Sequence, residues 1–150
     1  MSIKVICRNR KARYDYNIEA TFEAGVVLKG SEVKSLRQGQ GNLKEGYAGI
    51  KEGEVFLYNV HISPYAQAAR DNPDPVRERK LLLHKKEIKR LIGKIQERGY
   101  TLIPLQMYFK DGKAKVELGL ARGKKLYDKR ETLRKKAMDK EVKKALKQKW

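Results

Sequence analysis

Residues 105–120 constrain the fold of this chain more than any other stretch. Leu105, Met107 and Phe109 alternate with Gln106 and Tyr108, and Asp111-Gly112 follows. Ala114, Val116, Leu118 and Leu120 then alternate with Lys113, Lys115 and Glu117. Period-two alternation puts one set of side chains on each face of a strand. Asp-Gly supplies the positive φ angles that a two-residue hairpin loop needs. The pattern predicts two antiparallel strands.

Similar signals recur upstream. Ile18 to Glu23 alternates and runs on into Val26-Val27-Leu28. Ile50 to Val55 reads as a hairpin turn between two strands, the second ending near Ile62. Leu81-Leu82-Leu83 is a short apolar run that suits another strand. Pro104 has no N–H to donate, so it belongs at an edge or a bulge. Ile88, Leu91, Ile92 and Ile95 share one helical face, which predicts a helix over Lys85–Arg98 stopped by Gly99. A shorter helix fits Ser31–Gln38, with Ser31 as N-cap and Gly39 as stop. Pro64 to Val76 holds three prolines and reads as a long loop. About six short antiparallel strands with two to three helices point to a mainly β fold, a small barrel of the oligonucleotide-binding type. A half-open α+β sandwich is the alternative.

Charge narrows the partners. The chain has 150 residues and a net charge of +18. Such a field attracts polyanions, nucleic acid first. The excess is split evenly: Arg122 to Trp150 carries 13 Lys+Arg against 4 Asp+Glu, a net of +9, and the preceding residues carry the other +9. Cys7 is the only cysteine, so an internal disulfide is excluded and a reducing compartment is expected. No apolar stretch suits a signal peptide or a membrane span. The expectation is a cytoplasmic protein.

Enzyme chemistry finds no constellation. Metal sites need three or four suitable ligands, and His61, His84 and Cys7 are far apart in sequence. No Gly-x-Ser-x-Gly elbow raises a nucleophile. The glycines at 39, 41 and 46 lack the spacing of a dinucleotide fingerprint or a phosphate loop. Neither a cofactor nor catalysis is expected.

Three stretches fit RNA. In the first, Arg8 to Tyr16, Arg10, Lys11 and Arg13 can hold phosphate, Tyr14 can stack on a base and Asn9 can read a base edge. In the second, Gly30 to Arg37, a helix start with Lys34, Ser35 and Arg37 suits phosphate. Glu32 serves there either as ordinary capping charge or as an acceptor for a base or ribose hydroxyl. The third is the tail. Leu133, Ala137, Met138, Val142, Ala145, Leu146 and Trp150 form a thin helical stripe, while Lys136–Lys140 and Lys140–Lys144 repel. Such a segment is marginal as a free helix. It is expected to be disordered or nascently helical alone and helical once phosphate neutralises it. A tail docked on the barrel through Leu133, Val142 and Leu146 is the alternative.

Four stretches, NRKARYDY (9–16), GSEVKSLR (30–37), RKLLL (79–83) and LARGKKLYDKR (120–130), resemble the SsrA-binding protein family, also called small protein B. The resemblance implies a barrel, residues 1–122, that grips the tRNA-like domain of transfer-messenger RNA. It implies delivery, with the elongation factor that carries aminoacyl-tRNA, to ribosomes stalled on broken messages. It implies that a tail, residues 123–150, acts in the small-subunit decoding centre and the empty messenger channel. Carried onto this chain, Asn9 and Glu32 match RNA-binding barrel positions. Gly123, Lys124, Lys125, Tyr127, Asp128, Lys129 and Arg130 match the tail motif. Some relatives have histidine at Tyr127, and either ring can stack on a base. The chain is expected to act as a monomer and away from membranes. A general cationic RNA-binding or ribosome-associated protein is the competing expectation.

Overall fold

A computed structural model describes residues 3–66, 72–96 and 100–123, with Arg130, Leu133, Arg134, Ala137 and Met138. In chain order the elements are β1 (Ile3–Arg8), α1 (Ala12–Asp15), β2 (Tyr16–Val26), α2 (Gly30–Arg37), β3 (Gly41–Asn42), β4 (Tyr47–Lys51) and β5 (Glu54–Tyr58). There follow β6 (His61–Ile62), β7 (Arg79–Leu82), α3 (Lys85–Ile95), β8 (Tyr100–Lys110) and β9 (Lys113–Gly123).

Strand order in the main sheet is β1-β8-β4-β5-β7-β2-β9, and β8 also pairs with β9. Six strands therefore close a ring, β8-β4-β5-β7-β2-β9, with β1 added along the far half of β8. The ring agrees with the expected barrel. Its strands are not uniformly short, however: β2, β8 and β9 each run 11 residues. Bulges let strands this long wrap a small core, because each extra residue bends and twists the ladder. Register slips between Val5 and Cys7, between Ile18 and Ala20, and between Pro104 and Gln106. Pro104 thus sits at a bulge, as its missing N–H requires.

Both hairpin turns follow from φ. Asp111 and Gly112 lie at +51° and +80°, and Glu52 and Gly53 at +53° and +76°, the double left-handed pair that matches strand twist. Val27 and Leu28 fall beyond the end of β2. α3 presents the expected face, with Leu91 fully buried. Its predicted stop at Gly99 lies outside the described residues. α2 begins one residue earlier than expected, so Lys29 and not Ser31 is the N-cap. Gly39 ends it with φ +74° and donates its N–H to the Leu36 carbonyl at 2.9 Å.

The core lies inside the ring, where Val55, Leu57, Leu102, Met107, Val116 and Leu118 are fully buried. A second, smaller cluster of Ala12, Ile103, Leu105 and Ala121 lies outside it. Gly46 shows how tight the barrel mouth is. A Cβ there would lie 2.6 Å from Val60 Cγ2 and 3.2 Å from the Leu43 carbonyl oxygen. Gly46→Ala should cost about 1–3 kcal/mol by overpacking, read as a lower urea midpoint with an unchanged slope.

Candidate nucleic-acid interface

At Arg8 the chain leaves β1 and turns a pinned corner. The Asn9 backbone N–H donates to the Leu105 carbonyl at 2.8 Å, and its side-chain amide donates to the Pro104 carbonyl at 3.1 Å. Both carbonyls belong to the β8 bulge. Three residues on, Ala12 is buried against Ile103, Leu105 and Ala121. An anchor so small lets α1 lie close to the sheet, and Arg10, Lys11 and Arg13 around it are all exposed. Tyr14 is half-buried. Long cationic side chains on a rigid corner are suited to phosphate, since little backbone ordering remains to be lost on binding.

Asn9 lies between two open clefts. One, of about 270 Å³, runs between Arg8, Arg10, Arg13, Gln106 and Glu117. The other, of about 530 Å³, is lined by Lys11, Asp15, Lys44, Glu45, Tyr47 and Ile103 among others. The first is dominated by arginines. The second mixes both signs of charge with aromatic rings.

The second predicted stretch divides in two. Lys34 and Arg37 are exposed on α2, and the Lys34 ammonium lies 5.7 Å from the Tyr65 ring centre. Glu32 and Ser35, expected among the residues that touch RNA, face inward. Glu32 is 2% exposed. Its carboxylate accepts from the Lys29 N–H at 2.9 Å, from Arg79 Nε at 2.8 Å and from the Arg77 guanidinium. A carboxylate with its lone pairs filled has none left for a ribose hydroxyl. Burial alone would push the Glu32 carboxyl up; the hydrogen bonds from Arg77, Lys29 and Arg79 outweigh it and hold it below its ordinary value. Ser35 donates to the Ser63 carbonyl at 2.6 Å and fastens α2 to the loop after β6. Neither cleft beside Asn9 is lined by α2, so the two predicted barrel stretches do not merge into one pocket.

Arg79 is fully buried and completes this network. It donates to Glu32, to the Val60 carbonyl at 2.7 Å and to the Pro75 carbonyl at 3.1 Å. Arg77 adds a second guanidinium at the rim. Sequence reading assigned neither arginine a role. Their partner lies 45 and 47 residues away, and no local pattern announces it. Tyr47, Lys44 and Glu45 were missed for the same reason.

The tail leaves from β9. Gly123 pairs with Tyr16, so the last strand residue lies beside the larger cleft, which Tyr16 also lines. Arg122 lies over the Tyr100 ring at 4.5 Å. Of the tail-motif residues, Lys124, Lys125, Tyr127, Asp128 and Lys129 lie outside the described residues. Arg130 is exposed, and Leu133, Arg134, Ala137 and Met138 have helical backbone and are exposed too. The expected state of the free tail concerns residues mostly outside those described. Among the described residues no cluster of three or more His, Cys, Asp or Glu could hold a metal ion. No described helix is long and apolar enough to cross a membrane.

Known proteins are similar to this chain along almost its whole length. The SmpB protein family model matches residues 6–148. The SsrA-binding protein of Geobacter sulfurreducens is 60% identical over 149 residues, covering 99% of this chain and 97% of its own. That of Geotalea uraniireducens is 62% identical over 148 residues, covering 99% and 98%. A solved chain described as "tmRNA-SmpB: a journey to the center of the bacterial ribosome" superposes with a TM-score of 0.69. It is 51% identical and covers 85% of this chain and 94% of its own. By sequence over its full length, and by fold over its barrel, this chain belongs to the SmpB family.

Proposed function

We propose that this chain is an RNA-binding adaptor of trans-translation. It binds the tRNA-like domain of transfer-messenger RNA, the SsrA RNA for which its relatives are named, and delivers it to stalled ribosomes for rescue and peptide tagging. The observation that carries this reading is the Asn9 corner. There three exposed cations stand on a backbone pinned to the β8 bulge, in a family whose members are SsrA-binding proteins. Arg10, Lys11 and Arg13 contact phosphate, with Lys34 and Arg37 of α2 adding charge. Asn9 and Tyr14 contribute at base edges and rings. Glu32 and Ser35 act from inside, by holding α2 and its neighbouring loop in place.

The finer steps belong to the same proposal. The protein works in the cytoplasm as a monomer, without catalysing a reaction itself. The elongation factor that carries aminoacyl-tRNA joins through the RNA. The tail, from Gly123 through Lys124, Lys125, Tyr127, Asp128, Lys129 and Arg130, occupies the decoding centre and the empty messenger channel. Its net positive charge suits a channel walled by ribosomal RNA.

Competition at physiological salt tests the adaptor reading. The tRNA-like RNA should bind on the order of 100-fold more tightly than unrelated tRNA, because specific contacts add to the shared phosphate term. Equal affinities with one common salt slope would instead identify a general cationic RNA-binding protein.

A further inference from the structure

We propose that the larger cleft beside Asn9 is a guanine-reading pocket, which takes one unpaired base of the bound RNA and stacks it on Tyr47. The proposal rests on the RNA-binding reading above and specifies what one part of that surface recognises.

The platform comes first. Tyr47 opens β4 and is 46% exposed, unusual for so large a ring on an ordered strand. It sits directly opposite Tyr58 in the β4–β5 ladder, and the two rings stack with centres 5.1 Å apart and planes 25° from parallel. Tyr58 covers one face of Tyr47 and holds the ring in place. Stacking a base on a ring already fixed costs little side-chain entropy. The cleft beside it, about 530 Å³, is within the range of pockets that take small ligands.

The edge readers decide which base. The Asn9 amide donates from Nδ2 to the Pro104 carbonyl, which leaves Oδ1 as its acceptor. Glu45, exposed on the cleft wall, adds a carboxylate. Both are acceptors. Guanine alone carries two adjacent donors on its Watson–Crick edge, N1–H and the N2 amine, and a single carboxylate can accept from both. Adenine and cytosine place a ring acceptor beside their amine, and uracil flanks its one N–H with carbonyls. Either arrangement sets lone pairs against the Glu45 carboxylate. Lys11 and Lys44, both exposed at the rim, hold the flanking phosphates and offset the repulsion between carboxylates and backbone. The cleft therefore selects a base, whereas its arginine-lined neighbour only attracts a strand.

Inosine is the probe, because it keeps the guanine ring and N1–H and lacks the N2 amine. Each unpaired guanine of the tRNA-like RNA is replaced singly, and binding is measured with the full-length chain and with Glu45→Gln. At one position inosine should weaken wild-type binding about tenfold and Glu45→Gln binding by less than about twofold, the non-additivity of two groups in contact. Tyr47→Ala should lose about tenfold through stacking, and Tyr47→Phe should keep its affinity. If no guanine is inosine-sensitive, or if the sensitive one responds equally in both proteins, the pocket is wrong while the adaptor reading stands. A wild-type chain without preference for the tRNA-like RNA over unrelated tRNA overturns that reading and the pocket with it.

Discussion

Replacing Arg79 by leucine should lower folding stability by about 3–5 kcal/mol, a fall of roughly 10–20 °C in the melting temperature of a domain this size. The loss has two sources. Glu32, 2% exposed, keeps its charge while losing a charged partner at 2.8 Å. The Val60 carbonyl loses its donor as well, while the Pro75 carbonyl keeps the Ile62 N–H at 2.9 Å. Arg77 softens the blow without cancelling it, since it still reaches Glu32 from the rim. Adding Glu32→Leu to Arg79→Leu should recover part of the stability, because no charge then stays buried. Full recovery is not expected while the Val60 carbonyl remains unpaired.

The same network sets a pH signature. Glu32 has a folded-state pKa below its ordinary value. Its contribution is therefore complete above the ordinary carboxylate range, near about 4.3, and is lost as pH falls through the lowered folded value. Without Arg79 that lowering shrinks, so less remains to be lost. The stability gap between wild type and Arg79→Leu should narrow as pH drops below about 4. Denaturant midpoints at neutral pH and in mild acid measure it; a gap constant with pH would mean that Arg79 acts by packing alone.

A chain ending at Gly123 should keep most of its affinity for the tRNA-like RNA, within about tenfold, and lose peptide tagging on stalled ribosomes. β9 ends at that residue and pairs there with Tyr16, so the cut leaves the ring closed and the Asn9 corner intact. It removes most of the tail's net charge, which should flatten the salt dependence of RNA binding. Loss of specific RNA affinity would instead make the tail part of the barrel's RNA surface. Retained tagging would remove the decoding-centre role.

Much of the fold was legible because it is set locally. The Asp111-Gly112 turn is written in two residues whose φ angles are both positive. The buried stripe of α3 is written in its spacing, and the position of Pro104 in a missing N–H. Local signals were weaker where bulges extend a strand: period-two reading breaks at each slip, so the 11-residue lengths of β2, β8 and β9 looked like shorter pieces. The Asn9 stretch stood out in the sequence because charge and aromatics cluster within nine residues. The burial of Glu32 was not legible, because a carboxylate near a helix start looks the same in sequence whether it faces solvent or two arginines 45 and 47 residues away.

By itself the sequence determined the hairpins, the amphipathic helix, the two equal basic regions and, through four short stretches, the family. Those depend on backbone geometry, side-chain period and residue identity, which are properties of neighbours in the chain. Only the tertiary structure decided that Glu32 and Ser35 are internal braces, that Arg79 is buried, and that Tyr47 and Glu45 meet Asn9 in one cleft. These depend on which strands close the ring. Closure brings together residues dozens of positions apart, through a burial free energy that no local pattern encodes.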